Sequence, residues 1–439
     1  MDERLPHQSP PQTPAAGVSS TAPVPPESSG PGDRHREDRG LRRLFVTVPF
    51  VSAAAPLGYA VSAYFLALQV QAIDNAAKVE NLTIVNTMSA LAAMIIQPLV
   101  GVLSDRTRTR FGARAPWMLA GALIGAVGLI TAGLSTTVAQ LVVVMMAVQL
   151  GFNAFQGPLA AILPDRVPSR LRGRYSTLTG LGAIAAAIAG PVFASAFATR
   201  IPVGYAGFAG VILLIVVVFI VFNPDTDNRG VARPAFSVPA FLKAFWVNPL
   251  HHPDFFWAFL GRVLIFGGYY MVHTFNIYIA QEYIGLSLTE AARLVPLIGL
   301  MGLPGFILAI AVSGLLSDRV GRRKPLVLVG GLIIAASALF PLISPSVAGL
   351  MISTVVLTIG FGVFISVDQA LVSEVLPSED DHAKDLGVIN IAATLPNTIA
   401  PVAAGGIVTI FGGYAALYPV VAIVAGAGAL AVLPIKRVR

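Results

Sequence analysis

Cysteine is absent from all 439 residues. That excludes disulfides, thiolate metal sites and a cysteine nucleophile. Charge is almost as scarce. Asp, Glu, Lys and Arg together make up 12% of the chain, where a soluble protein carries about a quarter. Also missing are an H-E-x-x-H pair, a phosphate-cradling G-x-x-x-x-G-K-[ST] loop and a G-x-S-x-G nucleophile turn, so no enzymatic activity, cofactor or metal is expected. What fills the chain is apolar: 55% hydrophobic residues and a mean hydropathy of +0.77. The few charges cluster between long apolar runs, as membrane spanning requires. The net charge of +7 therefore points to anionic headgroups and a cytoplasmic face rather than to nucleic acid.

The chain contains a duplication. Gly101-Val102-Leu103-Ser104-Asp105-Arg106 is echoed by Gly314-Leu315-Leu316-Ser317-Asp318-Arg319, an offset of 318 − 105 = 213 residues. Gln156 and Pro164 find Gln369 and Pro377 at the same spacing, 369 − 156 = 213. On that register Phe155 occupies the place of Asp368. Copies of this length are not solenoid repeats. They read as two similar halves of an all-α membrane protein.

Apolar runs of about 20 residues cross the hydrocarbon as helices. Twelve are predicted, at 44–68, 82–103, 117–134, 138–163, 175–198, 204–222, 256–281, 291–316, 326–343, 347–374, 387–411 and 413–433. Residues 1–43, rich in Pro, Ser and Gly and then in charge, read as a disordered tail. The halves are 44–222 and 256–439, joined by a polar central loop at 223–255. Arginines crowd the tail, the loops after the second, fourth and eighth spans, and the C-terminus. The alternate loops carry only Lys78, Arg200 and Arg293. This asymmetry predicts a multi-pass protein of the plasma membrane with both termini cytoplasmic.

The segment GVLSDRTRTRFGARAPW at 101–117 resembles the loop between the second and third helices of major facilitator transporters. More narrowly, it is similar to the glycoside-pentoside-hexuronide and sucrose-transporter branch, and GLLSDRVGRRKP at 314–325 resembles the same loop in the second half. VDQALVSEVLP at 367–377 and AKDLGVINIAATLP at 383–396 look like actinobacterial members near that branch. The resemblance implies the major facilitator fold: two pseudo-symmetric six-helix halves that rock about a central site. It also implies a monomer that moves a small molecule, a sugar or glycoside, together with protons. An exporter of drugs or metabolites on the same fold is the alternative, and a membrane-embedded receptor or enzyme a remote one. Sodium-coupled members of the branch carry carboxylates in the second and fourth spans, and here 82–103 and 138–163 hold no Asp or Glu, which argues against sodium.

The resemblance makes Asp105, Arg106 and Arg114, with Asp318, Arg319 and Arg322, a gate whose ion pairs break during rocking. The other reading is solvated loop charge. Gln149, Asn153 and Gln156 share one helical face, as do Tyr269, His273 and Asn276. Amides donate and accept, and aromatic faces stack on sugar rings, so these residues and Gln369 form the candidate binding set. Interhelical hydrogen bonding is the competing role, and the favoured one for a third stripe, Asn390, Thr394 and Asn397. His273 is a proton carrier or a neutral hydrogen-bonding group. Arg262 and Asp368 are ionisable groups inside apolar runs, each about 9 Å from the same membrane edge at about 1.5 Å per residue. They are expected to form an ion pair in which Asp368 takes the coupling proton. A static pair, or an Arg262 that snorkels to headgroups, is the alternative.

Overall fold

The computed structural model describes residues 31–230, 252–375 and 382–436, and helices are its only regular elements there. Ten helices are long and apolar enough to cross a membrane; Leu395–Phe411 and Tyr414–Leu430 are shorter apolar helices that complete twelve spans. The first half comprises Pro31–Ile73, Lys78–Arg106, Ala115–Leu134, Val138–Arg166, Arg172–Ser195 and Ile201–Phe222. In the second half three spans are broken. The seventh runs Pro253–Thr274, continues through Asn276–Tyr278 and ends in a π-helical turn, Ile279–Tyr283. The eighth is split at Gly302 into Leu288–Met301 and Leu303–Val320, with Pro304 opening the second piece. The ninth is Lys324–Ser337 and Leu339–Ile343, followed by Val347–Glu374 and His382–Phe411.

The first helix is Pro31–Ile73, so it begins within the segment rich in charge. Pro31 stands at the helix start, where its missing N–H costs nothing, and no other proline follows until Pro49. Residues 1–30, like 231–251 of the central loop with His251, lie outside the described residues.

The duplication is visible in the packing. The third span packs on the fourth and sixth, and the second on the fourth; correspondingly the ninth packs on the tenth and twelfth, and the eighth on the tenth. Both fourth-type crossings depend on glycine. A Cβ on Gly121 would lie 2.5 Å from the Phe155 backbone N, and one on Gly330 would lie 2.9 Å from the Phe364 backbone N. Neither backbone can retreat, so only glycine permits this approach.

These contacts correct the repeat register. Gly121 and Phe155 match Gly330 and Phe364, so the offset in these spans is 330 − 121 = 364 − 155 = 209. The loop from Asp318 to Pro325 is four residues shorter than the loop from Asp105 to Pro116, since (116 − 105) − (325 − 318) = 4. The equivalent of Asp368 is therefore Leu159, not Phe155, and Gln156 and Gln369 are not counterparts.

Exposure separates lipid-facing from enclosed helices. The sixth span shows Val203, Val211, Leu214 and Val221 at its surface, whereas on Pro253–Thr274 the only exposed large hydrophobic residue is Phe256, near its start. An exposed polar side chain further along that helix accordingly faces an aqueous interior rather than lipid. The halves meet where the second span packs on the eleventh, and the fifth on Leu288–Met301.

Candidate functional site

At the face where the first span begins, here called the basic face, an ion cluster closes over the 104–114 loop. Arg114 precedes the third helix, and its guanidinium reaches Asp105 at 2.5 Å and Asp165, near the end of the fourth span, at 3.0 Å. It also donates to Ser104 Oγ at 3.2 Å. Burial works against the Arg114 charge, but the hydrogen bonds and charges of the two aspartates outweigh it and hold the guanidinium above its ordinary pKa. The first residues of the central loop brace this arrangement. Asp225 accepts the Arg114 backbone N–H at 3.0 Å, and Asn228 accepts from the Thr109 backbone N–H and donates to the Thr107 carbonyl, both at 2.9 Å. Gly112 has φ +80° and lies under Asp225, whose carboxyl carbon would be 2.2 Å from an added Cβ. Conformation and space both demand glycine there.

Asp165 was not among the sequence candidates, and the register explains why. At the 213 offset it falls on Ser378; at 209 it falls on Glu374, and Arg114 falls on Arg323. Arg114 and Arg323 both occupy the position before a helix with Pro in its first turn. By these offsets the second-half positions equivalent to Asp105, Arg114 and Asp165 are Asp318, Arg323 and Glu374. Arg319 and Arg322 are exposed. The side chains of Asp318 and Glu374 lie outside the described ones.

At the opposite, far face the two halves are bonded together. Tyr64 Oη donates to the Ala292 carbonyl at 2.7 Å, and Tyr278 Oη to the Ala67 carbonyl at 2.8 Å. Gln71 and Gln281 exchange amide hydrogen bonds at 2.9 and 3.0 Å. Lys78, 5% exposed, pairs with Glu282 at 2.5 Å and lies 5.1 Å from the centre of the Tyr278 ring. Gln281 and Glu282 both sit on the π-helical turn, a wide turn that is rare and often functional. Lys78, one of the few basic residues of the alternate loops, thus belongs to the contact between the halves. Asp74 accepts the Ala76 and Ala77 backbone N–H groups ahead of the second helix.

Between the faces, one stripe of the seventh span carries Arg262, Phe266, Tyr269, His273 and Asn276 at spacings of four, three, four and three. Arg262 Nε lies 3.3 Å from Asp368 Oδ2 on the tenth span, and both residues are buried. Tyr269 stacks on Phe361 of the tenth span at 4.2 Å and on His273 at 5.7 Å. His273 is exposed, so it faces the interior. On the fourth span, Asn153 turns its amide back onto its own helix, donating to the Gln149 carbonyl at 2.8 Å. Gln156 alone of that set is exposed. The side chains of Gln369, Asn390 and Thr394 lie outside the described ones; Asn397 is exposed and Arg106 is half-buried.

The arrangement is closed at the far face by contacts between halves, while the ion cluster described at the basic face lies within one half. It carries a buried ion pair and an aromatic wall on the helix stripe between them. The family model described as Major Facilitator Superfamily matches residues 50–365 and 305–439. Among solved structures, the nucleoside transporter NupG is 14% identical with a TM-score of 0.70, covering 90% of this chain and 100% of its own. A POT family transporter in complex with 5-aminolevulinic acid is 13% identical at TM-score 0.71, covering 89% and 95%. A bacterial homolog of the human lysosomal transporter Spinster, inward-facing and unoccupied, is 15% identical at TM-score 0.66, covering 93% and 95%.

Proposed function

The chain belongs to the Major Facilitator Superfamily and is a transporter rather than an enzyme, and we propose that it imports a hydroxylated, sugar-like solute together with protons. The observation that carries the coupling is the Arg262–Asp368 pair, a carboxylate buried in a membrane span beside a buried cation. Protonating Asp368 dissolves the pair and changes the relative stability of the states in which the halves are rocked one way or the other. The arginine-rich loops put the basic face in the cytoplasm of a plasma-membrane protein, so the conformation described here opens inward. Gln156, Tyr269, His273 and Asn276 offer the amide, aromatic and imidazole groups that suit a hydroxylated ring. The solved relatives carry nucleosides or peptides by name; the sugar reading is supported by the branch resemblance of the 101–117 loop.

In proteoliposomes, an inward proton gradient is expected to concentrate a radiolabelled mono- or disaccharide above its external level, and a protonophore to abolish the concentration. A sugar that only equilibrates while the gradient persists would overturn the coupling.

The basic-face cluster is the gate in this scheme, with Asp105, Arg106 and Arg114 in one half and Asp318, Arg319 and Arg323 in the other, Arg322 flanking. Asp105 is the more exposed of Arg114's two partners, so its loss costs folding about 1 kcal/mol or less. Asp105→Ala is therefore expected to leave expression near wild type while lowering the uptake rate about tenfold, the effect of about 1.4 kcal/mol on a conformational barrier. Wild-type uptake in this variant would show that the cluster is not a gate.

A further inference from the structure

Arg262 is not fully used by its partner. The residue is 7% exposed, yet its Nε approaches Asp368 only to 3.3 Å and misses hydrogen-bonding geometry, and Nε and Nη1 are both sealed from solvent without a hydrogen-bond partner. A buried donor left unmade costs about 1–3 kcal/mol, more when it is charged. Guanidinium offers five N–H groups in a planar fork that matches a carboxylate edge to edge. The fork is held at one end of the pathway stripe, with its centre 5.6 Å from the Phe266 ring, and the same stripe continues to the exposed His273.

We propose that Arg262 is the receptor for a carboxylate on the cargo, so that the transported solute is a hydroxylated organic monoanion. This rests on the proton-coupled reading above and narrows its substrate class. Charge conservation in a buried place makes the two ligands interdependent. In the empty carrier the pair is neutral. A proton on Asp368, converting carboxylate to carboxylic acid, leaves Arg262 as one uncompensated positive charge. A cargo carboxylate restores neutrality. A carrier holding only the proton or only the anion keeps a net charge in a low-dielectric wall, which is costly. Only the empty and the doubly loaded forms rock freely, and the cycle moves no net charge. The described side chains of the surrounding apolar cluster are uncharged. Tyr269 and Tyr270 are the titratable side chains packed there from the seventh span; Val327 and Ile334 from the ninth and Ala425 and Val432 from the twelfth are apolar. From the eighth and tenth spans, Ser313 and Ser366 bond to each other at 2.6 Å.

The test is binding to the purified full-length protein, which does not depend on transport. Acetate and D-glucuronate serve as anionic probes, D-glucose as the neutral one, and the readout is the shift in Tm at about pH 5 and about pH 8, which bracket the range into which burial can raise a carboxylate. The anions are expected to stabilise the wild type at the lower pH, with apparent affinity falling about tenfold or more at the higher pH as Asp368 reclaims Arg262. Asp368→Asn should bind them equally at both pH values. Arg262→Met should lose the response, and Arg262→Lys should keep part of it. Anion stabilisation that is absent from the wild type, or that survives Arg262→Met unchanged, overturns the proposal. So does a pH dependence that persists in Asp368→Asn. None of those outcomes bears on whether protons drive uptake, which the vesicle measurement decides separately.

Discussion

Replacing Arg262 by Met and Asp368 by Asn together is expected to abolish uphill accumulation. Counterflow exchange of a neutral sugar, which needs no carboxylate receptor, should continue at a reduced rate. Asp368 is 4% exposed, so its ionised form is tolerated only because Arg262 lies beside it. Removing one partner alone strands a buried charge and costs about 3–5 kcal/mol, enough to impair folding by itself. Removing both leaves no charge to strand, so the double variant should insert and fold. What it lacks is the group whose protonation state differs between the two sides of the membrane. A carrier without it binds and rocks but has nothing to link the proton gradient to the solute. The exchanged pair, Arg262→Asp with Asp368→Arg, should recover part of the folding that either single change loses. Accumulation against a gradient by the neutral double variant would remove Asp368 from the coupling role.

The second large effect is expected at the far face. Lys78 is buried and holds one carboxylate, on Glu282, whose side chain is about half exposed. Glu282→Gln removes the negative charge and leaves the ammonium with neutral amide oxygens, that of the new glutamine and that of Asn75, 3.2 Å away. Because Glu282 is partly solvated, the penalty lies below that for a fully buried pair; about 1.4 kcal/mol is a reasonable scale and shifts a two-state population tenfold. The halves should part at this face more often. With no natural cysteine in the chain, a cysteine at Ala292, 4% exposed beneath the Tyr64 contact, reports the opening. Its alkylation by an impermeant maleimide from outside should be about tenfold faster with Glu282→Gln. An unchanged rate would mean that Lys78–Glu282 is surface decoration.

Much of the architecture was legible because hydrophobic length and basic-loop asymmetry are local properties. The twelve predicted spans all reappear, most of them extended by a few residues of helix at their ends, as Lys78–Arg106 extends 82–103. The Arg262–Asp368 approach was legible too, since two ionisable residues at equal depth in one half have few other ways to be neutralised. The far-face clamp was not. Gln71 and Gln281 are 281 − 71 = 210 residues apart, and neither lies in a motif. Their pairing depends on how the halves meet in one conformation, which periodicity does not encode. The register error had a definite cause: a loop four residues shorter in the second copy, combined with the chance recurrence of Gln and Pro at the old spacing. It hid Asp165 as a partner of Arg114 and Glu374 as the sequence equivalent of Asp165. The amide stripe of the fourth span shared a face as predicted, but helical spacing cannot tell an amide that faces a cavity from one that, like Asn153, bonds its own backbone.

Alternating access is the claim on which all of this depends, and paired spin labels on the cysteine-free chain test it directly. One pair, Asn75→Cys with Ser287→Cys, spans the two halves at the far face; the other, Ser169→Cys with Val320→Cys, spans them at the basic face. Without ligand the far-face pair should give a short, narrow distance distribution. Acidification with saturating solute should lengthen that distance and shorten the basic-face one, in the same fraction of molecules. Asp368→Asn should remove the dependence of both on pH. Two distances that stay fixed, or that change independently of each other, would contradict a transporter whose halves rock about a protonatable pair.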